Sequence, residues 1–149
     1  MSWNTLTTDL YDLINDAKET LEIEEVSKYP KLTFKKHPVV TITMSDNENE
    51  FETTAENQRI YAWKLRVFYE TKHTSIPGAI DALMPVVDDV MDKIDQENDA
   101  TVRTVGTDMP AKYTFINILA TPGAWFTVED GNVIYNEFTV RIKVSVSVY

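Results

Sequence analysis

The side chains best suited to chemistry in this sequence are carboxylates, and they crowd into one place. From Ser45 to Asn57 the chain reads SDNENEFETTAEN, with Asp46, Glu48, Glu50, Glu52 and Glu56 and no basic residue. A calcium loop needs oxygen ligands at alternate positions, a glycine at the sixth and a bidentate glutamate at the twelfth. Counted from Asp46, the sixth position is Phe51 and the twelfth is Asn57, so that pattern fails. Three readings stay open for the stretch: a solvated tip, a weak exposed site for a divalent cation, or a surface for a partner.

Other candidates fall away faster. Asp88, Asp89, Asp92 and Asp95 are spaced as the wet side of a helix rather than as a metal cluster. His37 and His73 each lie near lysine and belong to no metal-binding spacing. The glycines, Gly78, Gly106, Gly123 and Gly131, are isolated, so no phosphate loop, dinucleotide fingerprint or nucleophile elbow can be assembled. There is no cysteine, which removes disulfides, thiolate metal sites and cysteine nucleophiles together. The expectation is a protein that is not an enzyme, with no catalytic residue, no metal ligand and no cofactor.

The elements around the carboxylates explain their position. Leu6, Leu10, Leu13, Ile14, Ala17 and Leu21 recur at helical spacing and predict a first helix over residues 5–25. Pro30 and Pro38 then break helical continuation. Val40, Ile42 and Met44 alternate with threonines. Further on, Tyr61, Trp63, Leu65, Val67 and Tyr69 alternate with Ala62, Lys64, Arg66 and Phe68. These are two strands, and the acidic stretch, about 45–57, is the loop of the long hairpin they form. Ile76, Ile80, Leu83, Met84, Val87, Val90, Met91 and Ile94 mark a second helix with Ser75 as its cap and Pro77 in its first turn. Pro85 predicts a kink or a late start.

YTFINILA, residues 113–120, is a third strand, with TPGAW and EDGN as turn signals. TPGAWFTVEDGNVIY can equally be a small hairpin or an extension of the last two strands. FTVRIKVSVSVY closes the chain with unbroken alternation. The fold class is α+β: a two-layer sandwich in the order α-β-β-α-β-β, with a mainly antiparallel four-stranded sheet and two helices on one face. The 149 residues read as one domain.

Charge adds a second layer. Net charge is −10 at pH 7, which repels nucleic acid and anionic membranes as principal partners. No apolar run is long enough to span a bilayer, and the polar, acidic start does not resemble a signal peptide, so the expected compartment is cytosolic. If the alternating aromatic and valine positions pack under the helices, the opposite sheet face collects Lys64, Arg66, Arg141 and Lys143. The helix backs and the hairpin loop are acidic. Such a subunit can dock front to back on its own copy. The same cations can instead keep a wet face soluble.

The run YP…HPVVTITMSDNENEFETTAENQRIYAWKLRVFYE, its following amphipathic helix and the valine-rich last strand resemble the tail-terminator and tail-completion proteins of long-tailed bacteriophages. The part that carries the resemblance best is ETTAENQRIYAWKLRVFYE. It implies a non-catalytic ring, usually a hexamer, capping the head-proximal end of a tail tube and facing the neck. Its partners would be further copies of itself, the tail-tube protein and neck or connector proteins, with DNA only as passing cargo and no membrane. Its place would be the virion tail or neck, after assembly in the host cytoplasm. On that reading Lys64, Arg66, Arg141 and Lys143 lie at the subunit interface. Asp46, Glu48, Glu50, Glu52 and Glu56 line the lumen, repelling DNA, or dock on a basic partner. The alternatives are another head–tail connector and a monomeric acidic binding module.

Overall fold

The computed structural model describes residues 2–29, 38–45, 48–51, 56–71, 75–128 and 132–147. Helix α1 (Ser2–Asp16) buries Leu6, Leu10, Leu13 and Ile14. The helix ends nine residues before the expected Glu25. Residues 17–23 instead form a turn closed by Ile23 N–H donating to Lys18 O (2.8 Å) and Glu22 N–H donating to Glu19 O (3.2 Å). This is the hydrogen-bond pattern that terminates helices, with Glu22 in the left-handed conformation usually given to glycine (φ 61°). Leu21 and Ile23 still reach the core. The helical spacing of Ala17 and Leu21 therefore served a turn.

Strands β1 (Glu25–Ser27), β2 (Val39–Met44), β3 (Glu48–Phe51) and β4 (Glu56–Glu70) follow. Then come α2 (Ile76–Asp95), a 3-10 turn (Gln96–Asn98), β5 (Tyr113–Val128) and β6 (Val133–Ser147). They form one sheet in the order β1-β2-β4-β6-β5, with β3 also beside β4. Among the described residues the expected four strands are thus six, and the order is α-β-β-β-β-α-β-β. The two unforeseen strands have identifiable reasons. β1 is three residues long, too short for a readable period, and pairs parallel to β2. β3 (ENEF) is mostly polar and is held by backbone pairing to β4, from Glu48↔Ile60 to Phe51↔Asn57. The remaining pairings are antiparallel.

Helix α2 starts at Ile76, with the Ser75 hydroxyl accepting from Gly78 N–H at 3.1 Å, and continues through Pro85. The late start does not occur, and the helix runs unbroken past Pro85. Pro85 is exposed, so water can reach the carbonyl that its missing N–H leaves without a donor. Both helices pack on one sheet face. There Trp63, Leu65, Phe138, Val140 and Ile142 meet Leu10, Ile14, Leu83, Val90 and Ile94, all essentially inaccessible. Trp63 Nε1–H donates to Thr7 Oγ1 at 2.9 Å, fixing α1 to the central strand.

β5 runs through TPGAW, so of the two alternatives this stretch extends the last two strands and TPGAW is not a turn. Its pairing with β6 slips between Phe115 and Asn117 and again between Thr121 and Ala124. Each slip is one extra residue, a bulge that exchanges the two faces of the strand. Gly123 makes the second bulge possible, since a Cβ there would overlap the Glu137 carbonyl oxygen.

Candidate functional site

The face of the sheet away from the helices carries the four expected cations. Register puts Lys64 opposite Thr139, Arg66 opposite Glu137, Arg141 opposite Ala62 and Lys143 opposite Ile60, so their side chains leave the sheet on the same side. The sequence reading missed Glu137. Its half-buried carboxylate lies 2.8 Å from Arg66 Nε and 3.9 Å from Lys64 Nζ. Arg66 also stands over the Tyr135 ring at 5.3 Å. Tyr135 stacks on Phe126 (4.9 Å) and packs against Phe68 (5.0 Å). The face is therefore graded: an aromatic end, a Lys64–Glu137–Arg66 group in the middle, and Arg141 and Lys143 beyond, with Leu119 exposed opposite Arg141.

The acidic stretch is not one loop. Glu48 and Glu50 lie in β3 and Glu56 opens β4, while Asp46 and Glu52 lie outside the described residues. His37, His73 and the EDG of the last turn also lie outside them. Among the described residues no group of three or more His, Asp or Glu is arranged to hold a metal ion, and no helix is long and apolar enough to cross a membrane.

A second acidic feature was not anticipated. Asp9, Asp12, Asp16 and Asp108 line a cleft of about 440 Å³ with Lys93, Thr104 and Thr107. Burial raises the Asp9 pKa, helped by the charges of Asp108, Asp12 and Glu97, while the N–H of Gly106 at 2.8 Å pulls the other way. A raised carboxylate in a cleft is a common mark of catalysis. Here the carboxylate already holds the loop that returns from α2 to β5. Glu97 grips the same loop, its buried carboxylate accepting from Thr104 N–H and Val105 N–H at 2.7 Å each. Gly106 has φ 78°, a conformation that suits glycine.

At this point the fold can be set beside known proteins. No protein-family model and no curated protein matches the sequence. The chain is similar in structure to a chain in the virion of a native gene transfer agent (GTA) particle. The TM-score is 0.68 at 11% identity, over 95% of this chain and 96% of that one. The correspondence is one of fold, end to end.

A further groove lies between α2 and the second half of β5. Met84, Val87 and Met91 form its floor with Pro122, Gly123 and Trp125, and Asp88, Asp92 and Asp95 line it from α2. Asn136 is buried at its base, and its Oδ1 has no partner. The sequence held one signal for this region: the sixteen residues of β5 contain no charge, in a chain where 26% of residues are charged.

Proposed function

We propose that this chain is a structural protein of a virion, without catalytic activity. In this reading six copies form a ring that caps the head-proximal end of a tail tube and joins it to the neck. The observation that carries the reading is the correspondence in fold, over nearly the full length of both chains, with a component of a GTA virion. The surface charge is compatible with ring closure. Lys64, Arg66, Arg141 and Lys143 share one face, and the exposed Asp81, Asp88, Asp89 and Asp92 belong to the helix on the other. A front-to-back contact between such faces repeats around a closed rotation. Charge then sets the register and disfavours wrong pairings more than it adds affinity. Glu137 tempers this, because it already neutralises part of the cationic face from within the subunit.

The carboxylates between 45 and 57 would face the lumen or a basic partner. In a lumen they would keep DNA from adhering, since phosphate binding is driven by cations that release counterions.

Negative-stain microscopy of the purified protein, alone and mixed with tail tubes, tests the proposal. Rings on one end of the tubes are expected. Bare tube ends beside monomeric protein would refute it. Replacing Asp46, Glu48, Glu50, Glu52 and Glu56 by their amides should leave the fold intact and impair tail assembly. Unchanged assembly would show that these charges serve neither the lumen nor a partner.

A further inference from the structure

The outer edge of β5 is treated in two different ways along its length. At Ile118 and Ala120 it is covered. Asn98 Oδ1 accepts from Ile118 N–H (2.9 Å), Asn98 Nδ2–H donates to Ile118 O (2.7 Å), and Asp95 Oδ1 accepts from Ala120 N–H (3.2 Å). Beyond the bulge the covering stops. Residues 124–128 (AWFTV) are all exposed, and among the described residues β6 is their only strand neighbour. Folded proteins blunt such edges with charge, proline or a covering element. Pro122 stands at the bulge, but the five residues after it carry neither charge nor proline.

The groove of about 290 Å³ lies directly beside this open edge. That volume is small for a drug-sized ligand and suits one long side chain. Its walls state what the side chain should be. Trp125 offers an exposed ring, Met84 and Met91 offer adaptable apolar surface, and Asp88 and Asp92 stand one helical turn apart on the exposed side of α2. At the base, residue Asn136 is 95% buried, and its Oδ1 is closed to solvent and lacks a donor. A buried acceptor without a partner is costly and rare, so a donor admitted by a small shift of the groove wall would offset that cost, and the lining carries no positive charge. Arginine supplies both: a planar cation that stacks on an indole, forks onto carboxylates and has N–H groups to spare.

We infer that the edge 124–128 and the adjoining groove form a docking site for an extended, arginine-bearing segment of a partner protein. The segment adds as a further strand to β5 and places its arginine over Trp125, against the α2 aspartates and above Asn136. Backbone pairing supplies affinity and the arginine supplies specificity, as in other cases of strand addition. Asp88 and Asp92 also belong to the acidic face proposed above for contacts between copies, so the two readings use the same carboxylates, and the dependence on protein concentration below separates them.

The test uses the intact chain and two blocked heptapeptides with alternating valine and threonine, one with arginine at the centre and one with citrulline. Nuclear magnetic resonance follows the Trp125 indole N–H, the Asn136 side-chain amide and the backbone amides of 123–128. The arginine peptide should shift all three sets, and the citrulline peptide should bind at least tenfold more weakly. Asp88→Asn with Asp92→Asn should weaken the arginine peptide at least tenfold and leave the citrulline peptide unchanged. Both positions are exposed on α2, and raising the salt concentration on the unaltered protein gives the same comparison without substitution. The inference is overturned if the peptides bind alike, if neither binds at millimolar concentration, or if shifts fall elsewhere. It is also overturned if the same resonances move with protein concentration alone, which would assign the groove to a second copy of this chain.

Discussion

Gly123→Ala is the most demanding test of the β5 geometry. A Cβ at residue 123 would overlap the carbonyl oxygen of Glu137, lie 2.9 Å from its carbonyl carbon and lie 3.3 Å from Phe138 Cα. All three atoms are backbone, so no side chain can swing away. Relief requires β5 to lift off β6 around the bulge, with the loss of one or two ladder hydrogen bonds at about 1 kcal/mol each. Repacking beneath the lifted segment costs about 1–3 kcal/mol more. The sum is about 3 kcal/mol, and at about 2–4 °C per kcal/mol for a chain of this size the melting temperature should fall by roughly 6–12 °C. Thermal unfolding by circular dichroism measures it, with Ala124→Ser as a neighbouring, exposed control expected to shift the midpoint by no more than about 2 °C. Faster hydrogen exchange should be confined to residues near 120–128 and 136–138. A Gly123→Ala midpoint within about 2 °C of the unmodified protein would show that the two backbones do not approach as described.

Three further outcomes follow from single side chains. Asp9 has a folded-state pKa above its unfolded value near 3.8, with burial as the main cause. Its contribution is therefore fully present below the unfolded value and is lost as pH rises through the folded one. Asp9→Asn keeps an acceptor for Gly106 and removes the charge, so melting temperatures between pH 3 and pH 7, measured relative to the parent, should show a smaller decline and a midpoint at pH 7 no lower than the parent. Glu137→Gln should cost about 1 kcal/mol, and a double-mutant cycle with Arg66→Gln should return a coupling of similar size, read by urea denaturation. Glu22→Gly should stabilise by about 1 kcal/mol, because glycine adopts the φ of 61° without the strain a Cβ imposes; unchanged stability would mean that the turn is not held in that conformation.

The parts of the fold legible in the sequence are those where one period persists. β4 from Tyr61 and β6 from Phe138 keep strict alternation because each lies between two neighbours and is covered on one face by helices, so there every second position had to be apolar. Helix α2 was legible from its stripe and its Ser75 cap. β5 was legible as a strand only as far as Ala120, because its two bulges reverse which residues face the helices and the second falls within TPGAW. Phe115 and Ile118 both point to the core side although they are three residues apart. β1 and β3 are held by backbone pairing, which leaves little trace in side-chain type. The same distinction applies to the candidate sites. The common direction of Lys64, Arg66, Arg141 and Lys143 followed from alternation within two strands. The pairing of Arg66 with Glu137 required the register between them, and the meeting of Asp88 with Trp125 and Asn136 required the packing of α2 on the sheet.

The position of β6 has a consequence for how the chain matures. It is the latest in sequence of the described strands, yet it lies between β4 and β5 and pairs with both along nearly their whole length. During synthesis β5 therefore waits for the strand that joins it to β4, since the sheet cannot be completed until the ribosome has released residues 133–147. Contacts so distant along the chain slow folding. A nascent chain stopped near residue 128 would hold its apolar faces without the strand that unites them, and this is when a chaperone has most to do.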